Sequence, residues 1–363
     1  MERNKRSQSE APGRKHPRPP ACPREVEPKL TPRARAIEAL ELRRPPGTVP
    51  TCELAFSLFE EWLGEPIRPF AVPEGTGIRK RRAMRRAYAR DTAEVYRQMG
   101  HCIITNWMAE QDTIELTQAY REETGDEFML GFPADGTFGI PDGSHMEEFV
   151  YLLADRPAEA HEEARRRIDA ALATAARLKA AGADVVWMGS DYAMNAAPFL
   201  SPPMFQEFVS PYLRRVIEGF RALGLYVIKH SDGDINPLMD EIVAARPHAI
   251  HSLDSIANMD IRRIKQRYGD RVALIGNVPH GPLQLDRRDV IQSSALYCLE
   301  HGGVRQGGYI FSTSNAVFGG DITGIRIEPY RFMLSVRDRY MAELAAEVGR
   351  AAAGGAEPTG GLE

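Results

Sequence analysis

Eight short apolar runs, each followed by a polar cluster and most by a helical pattern, constrain this chain more than any other feature. They cover residues 49–56, 102–107, 128–132, 184–189, 225–230, 249–254, 272–278 and 308–312. Near-continuous runs rich in Val and Ile predict strands buried on both faces, and helices between them predict a parallel sheet. The helices carry their own punctuation. Residues 158–181 are strong helix formers that stop before Gly182. Ser201 is placed to cap a helix with Pro202 at its first position, Asn236-Pro237 starts another, and Asp260 caps the one carrying Ile264. Eight such units in about 300 residues fit a (β/α)8 TIM barrel better than a doubly wound sheet. No Gly-x-Gly-x-x-Gly follows the first run, so a dinucleotide-binding domain loses its main support. The expected fold class is therefore α/β, a single barrel domain over 34–345. A basic, proline-rich tail at 1–33, too poor in apolar residues to fold, precedes it, and a flexible end at 346–363 follows.

Composition excludes several function classes. Of 363 residues, 43% are hydrophobic and 26% charged, which is globular rather than disordered, coiled-coil or collagen-like. A net charge of −4 argues against a nucleic-acid partner. The basic run Arg79–Arg86 lacks interleaved aromatics and reads as a solvated helix face, with a large anionic ligand as the alternative. No apolar run reaches the length of a membrane span, and the polar N-terminus lacks the apolar core of a secretory signal. Cys22, Cys52, Cys102 and Cys298 form no Cys-x-x-Cys pair. That speaks against a disulfide framework or a cysteine zinc cluster and for a reducing cytoplasm.

In a barrel of this kind the chemistry sits at the C-terminal strand ends. There the runs end in Asn106, Asp191-Tyr192, His230-Ser231-Asp232, Asp254, Asn277 and Ser312-Thr313-Ser314-Asn315. Polar groups converging from all sides make a small-molecule site. Alternate strand residues share a face, so His230 and Asp232 can reach one object. Three readings stay open: a zinc or other divalent ion held by imidazole and carboxylate; acid–base or binding work without metal; or a hydrogen-bonded barrel histidine beside a helix cap. Asp191, His230 and Asp232 are the catalytic candidates. Glu53 joins His230 and Asp232 as a metal candidate, because a carboxylate inside an apolar run is costly unless paired or ligating. Asn106, Tyr192, His251, Asn277 and Asn315 are the substrate-binding candidates.

These residues lie in motifs that resemble the uroporphyrinogen decarboxylase superfamily. The motifs are Gly189-Ser190-Asp191-Tyr192, Phe199-Leu200-Ser201-Pro202-Pro203-Met204-Phe205, Pro211-Tyr212-Leu213, Lys229-His230-Ser231-Asp232-Gly233, Tyr268-Gly269-Asp270-Arg271 and Gly307-Gly308-Tyr309-Ile310. The resemblance is close over 185–340 and weaker before it. It implies a (β/α)8 barrel, often homodimeric, with a deep mouth for a tetrapyrrole or a corrinoid partner. Its members include decarboxylases that need no cofactor and zinc-dependent methyltransferases that work on methylated corrinoid proteins. The arginine-rich motif and the nearby aspartate of the decarboxylases have no counterpart here. The thiol methyltransferases hold zinc with His-x-Cys and a later Cys. In this chain His230 matches the histidine, Asp232 occupies the first cysteine position, and Asn315 falls near the second. The resemblance therefore leads to a methyltransferase moving a methyl group between a small substrate and a corrinoid protein. Decarboxylation of a porphyrinogen and non-catalytic tetrapyrrole binding are the alternatives.

Overall fold

Seven parallel strands hydrogen-bond in strict sequence order in the computed structural model, which describes residues 30–319 and 324–354. They are β1 (Ile103–Thr105), β2 (Met129–Pro133), β3 (Val185–Met188), β4 (Tyr226–Ser231), β5 (Ala249–Ser252), β6 (Ala273–Val278) and β7 (Tyr309–Thr313). Helices cross between them, as parallel connections require. Those used below are α1 (Pro32–Leu40), α2 (Phe59–Leu63), α3 (Ile78–Met99), α4 (Glu110–Thr124), α5 (Met146–Asp155) and α6 (Pro157–Ala180), with a last long helix at Ile327–Gly354.

The strand alternation separates two apolar cores. Ile104, Leu130, Val186, Val227, Ile250, Leu274 and Phe311 pack with the surrounding helices. Ile103, Met129, Val185, Trp187, Ile228, Ala249, Ala273, Ile275 and Ile310 fill the concave face, together with Ala36, Ala39 and Leu40 of α1. A sheet buried on both faces explains why the runs read as continuous rather than alternating. The capping signals hold: Ser201 accepts from the Met204 amide and Asp260 from the Arg262 amide.

The first apolar run departs from expectation. Residues 49–56 form isolated bridges, not a ladder strand. Thr51 bridges both His101, just before β1, and Phe311 of β7. The Thr51 carbonyl accepts from Cys102 and the Pro50 carbonyl from Phe311, at 2.8 Å each. Pro50 has no N–H to extend the pairing. The expected tail boundary also shifts: α1 starts at Pro32 under a Thr31 cap, and Arg33 pairs with Asp184. The last helix continues past 345 to Gly354. Residues 1–29 and 355–363, with Cys22, lie outside the described residues. Cys52, Cys102 and Cys298 are free and buried. No helix among the described residues is long and apolar enough to cross a membrane.

The basic run is absorbed within the fold. Arg81 pairs with Asp112 and Glu115, Arg82 with Glu122, and Arg86 with Glu122 and Glu123, zipping α3 to α4. Arg85 is buried, lies over the Phe70 ring, and reaches Asp112, Glu115 and the Phe70 carbonyl.

Candidate metal centre

His230, near the C-terminal end of β4, has the same parity as Ile228 and so faces inward. Its Nδ1 lies 2.9 Å from Nδ1 of His251 on β5. His251 Nε2 lies 3.2 Å from the Thr313 carbonyl on β7. A carbonyl only accepts, so His251 carries its proton on Nε2 and its Nδ1 is bare. His230 must then donate from Nδ1, which leaves its Nε2 as a lone pair. Both rings are neutral. Burial pulls the His230 imidazole down to about 4 and that of His251 well below its usual value.

That lone pair looks toward two carboxylates. His230 Nε2 is 3.6 Å from Asp191 Oδ1 and 3.8 Å from Asp232 Oδ1. Ligand atoms of Asp191, His230 and Asp232 all lie within 4.8 Å of one another. Each carboxylate is held from one side. Asp191 Oδ1 accepts from the Asp232 amide at 2.8 Å, and Asp232 Oδ2 from Asn315 Nδ2 at 2.7 Å. Asp232 Oδ1 is buried and no group meets it in full hydrogen-bond geometry, although the Ser252 hydroxyl stands near enough to the carboxyl to favour its charged form. Burial, and then the Asp191 charge, push the Asp232 carboxyl up to about 6. A bare imidazole nitrogen and a carboxylate oxygen outside full hydrogen-bond geometry, facing one point, suit a cation or proton between them.

Two loops must touch for this to happen. Gly233 makes it possible, with φ of +81° and its α-carbon against the Ala193 backbone, where a Cβ would sit 2.2 Å from the Ala193 carbonyl oxygen. The Asp234 amide donates to the Met194 carbonyl and completes the seam.

A second support was missed in the sequence. Lys229, pointing away from His230, is fully buried with its ammonium 3.2 Å from Asp135 and 2.7 Å from the Ser190 carbonyl. Asp135 also accepts from the Ser190 amide. The pair clamps the residue before Asp191. A lysine inside an apolar strand was the available signal, since it demands a buried partner.

Other sequence candidates lie elsewhere. The Glu53 carboxylate is spent on Ser312, on the amide and hydroxyl of Thr313, and on Tyr330, so it stands behind β7 rather than with the triad. Burial still lifts it to about 7. Tyr192 turns outward, its hydroxyl on Thr137 and its ring under the Lys229 ammonium. Asn277 holds the carbonyls of Leu253 and Met259. His251 has both nitrogens engaged and supports His230 rather than facing the cleft. Asn106 lines a separate cavity. Asp191 and Asp232 open into a cleft of about 1540 Å³ running out between α5, α6 and the 193–196 loop.

A family model, Uroporphyrinogen decarboxylase (URO-D), matches residues 140–321, the span that holds the whole triad. The chain belongs to the uroporphyrinogen decarboxylase family. Among solved structures this URO-D family chain is similar to a methyltransferase from Methanosarcina mazei. The TM-score is 0.67 and the identity 15%, over 86% of this chain and 99% of that one. At that identity the likeness concerns the fold. A D-psicose 3-epimerase from Clostridium cellulolyticum H10 is 13% identical over 72% of this chain and 92% of that one, with a TM-score of only 0.37. No curated protein matches.

Proposed function

We propose that this URO-D family chain is a metal-dependent methyltransferase that moves a methyl group between a small methylated substrate and a corrinoid carried on a partner protein. The carrying observation is the convergence of the bare His230 Nε2 and Asp232 Oδ1 beside Asp191. We read the sheet as a ring closed through Thr51, with this convergence at its mouth.

A divalent ion such as zinc, held by His230, Asp191 and Asp232, would supply Lewis-acid polarisation of the heteroatom that carries or receives the methyl group. The chain's own residues do the rest. His251 fixes the His230 tautomer, Asn315 and the Asp232 amide orient the two carboxylates, and the cleft admits substrate and partner. One nitrogen and two carboxylates are a hard donor set, which favours an oxygen or nitrogen heteroatom over the thiolate served by cysteine ligands. The methyltransferase among the similar solved structures supports the same reading.

Metal analysis of the purified protein, with methyl transfer to cob(I)alamin followed by absorbance, tests it. We expect one ion per chain, lost in His230→Ala, and methylation from an oxygen- or nitrogen-linked donor. A metal-free protein inert toward methanol, methylamines and aryl methyl ethers would reject the proposal. Release of carbon dioxide from uroporphyrinogen would assign decarboxylation instead.

A further inference from the structure

Beyond β7 the chain runs as a strap over residues 314–317, and Asn315 on that strap holds Asp232. The Ser314 amide donates to the Val278 carbonyl and the Val317 amide to the Ala55 carbonyl, at 2.8 Å each. The Asn315 carbonyl accepts from the Thr313 hydroxyl. The Ala316 carbonyl accepts from Nε2 of His280 at 2.7 Å. Of these bonds, only the last reaches the strap through a side chain from the end of another strand.

Local chemistry places His280 there. β6 ends at Val278, Pro279 holds φ at −65°, and His280 opens the short helix His280–Gln284. A carbonyl only accepts, so the ring carries a proton on Nε2. Ala316 is buried. A buried carbonyl without a donor is costly, so the strap shifts when that donor is lost.

The strap decides how Asn315 is aimed. The Ala316 amide donates to Asn315 Oδ1 at 2.7 Å, which leaves Nδ2 to face Asp232 Oδ2, also 2.7 Å away. Ala316 therefore joins two ends: its carbonyl meets His280, and its N–H sets the Asn315 amide. His280 itself is not among the ligand atoms of Asp191, His230 and Asp232 that gather within 4.8 Å.

We propose that His280 is a positioning residue of the metal centre, acting through Ala316 and Asn315 on the Asp232 carboxylate. The proposal rests on the metal reading above and adds to it a residue from the end of β6.

Titration of the full-length protein with Co(II) tests it, read by the d–d absorbance of the bound ion and by competition with a chelator. His280→Leu, close in volume but without a donor, should weaken Co(II) binding about tenfold, the lower end for residues that orient a metal ligand. It should also change the visible spectrum, because Asp232 no longer meets the ion in one orientation. His280→Ala should do the same and serves where the leucine variant fails to fold. His280→Gln sets an amide donor near the former Nε2 and should restore both affinity and spectrum. In an Asn315→Ala background the His280 substitutions should have no further effect, since the path runs through Asn315. Unchanged affinity and spectrum in His280→Leu, a loss that glutamine does not restore, or the same loss persisting on Asn315→Ala would overturn the proposal. A wild-type protein that binds no Co(II) would overturn the metal reading with it.

Discussion

The Nδ1 atoms of His230 and His251 lie 2.9 Å apart, and only one of them carries the proton between them. The Thr313 carbonyl on the far side of His251 decides which. Replacing His251 with Phe removes the acceptor and frees the His230 ring to take either tautomer. Metal affinity should fall about 10–100-fold, as for other residues that orient a ligating histidine. Competition with a chromogenic chelator measures it. Wild-type affinity in His251→Phe would show that the tautomer does not matter.

Glu53 acts on the same node from behind. It accepts from the amide and hydroxyl of Thr313, whose hydroxyl also lies 2.5 Å from the Asn315 carbonyl, and Asn315 holds Asp232. Its buried carboxyl is raised from 4.5 to about 7. The folded state thus keeps a proton that the unfolded chain releases. Stability from this group is complete below pH 4.5 and is lost as the pH rises to 7, by an amount on the order of 3 kcal/mol. Glu53→Gln should therefore flatten the decline in stability between these pH values and melt higher than wild type at pH 8. Denaturant titrations at several pH values check the sign; parallel curves for the two proteins would refute it.

Gly233→Ala should separate the two acidic loops. The new methyl group would meet the Ala193 carbonyl in a backbone conformation that alanine disfavours. We expect a loss of at least about 2 kcal/mol. Metal binding should weaken with it, because Asp191 and Asp232 sit on opposite sides of that seam. Thermal melts and metal titration on the same sample read both effects.

The arginine run should matter for stability and not for nucleic acid. Arg85→Ala removes a buried guanidinium from Asp112, Glu115 and the Phe70 carbonyl. Fully buried pairs lose roughly 3–5 kcal/mol on such a deletion. About 2 kcal/mol is expected here, since Arg81 still faces both acids. Arg79→Ala should change little. A shift of labelled duplex DNA at physiological salt would contradict this account of the run.

Much of this arrangement was legible in the sequence, for a definite reason. Seven apolar runs became strands because burial on both faces leaves little freedom in composition. His230 and Asp232 could be paired from strand parity alone, and Asp191 from the position of its loop. What failed was direction after a strand ends. Tyr192 follows Asp191 but points the other way, because Lys229 and Thr137 offer it a buried partner. Asn277 turns its amide to loop carbonyls, which no spacing rule encodes. Glu53 was noticed for its cost in an apolar run, but its partners came from residues 312–330, beyond any local pattern. The first run was overestimated because Pro50 was counted with its apolar neighbours rather than as a missing donor.

The packing of Trp187, Ile228, Met129 and α1 into the concave face has a kinetic consequence. Those side chains stand between the triad's end of the sheet and the side where α1 sits. On the proposed function, the donor of the methyl group and its acceptor would use the same door, one after the other or side by side. A large partner seated there would delay departure of the first product, and turnover would then follow how fast the two proteins part rather than how fast a bond is made.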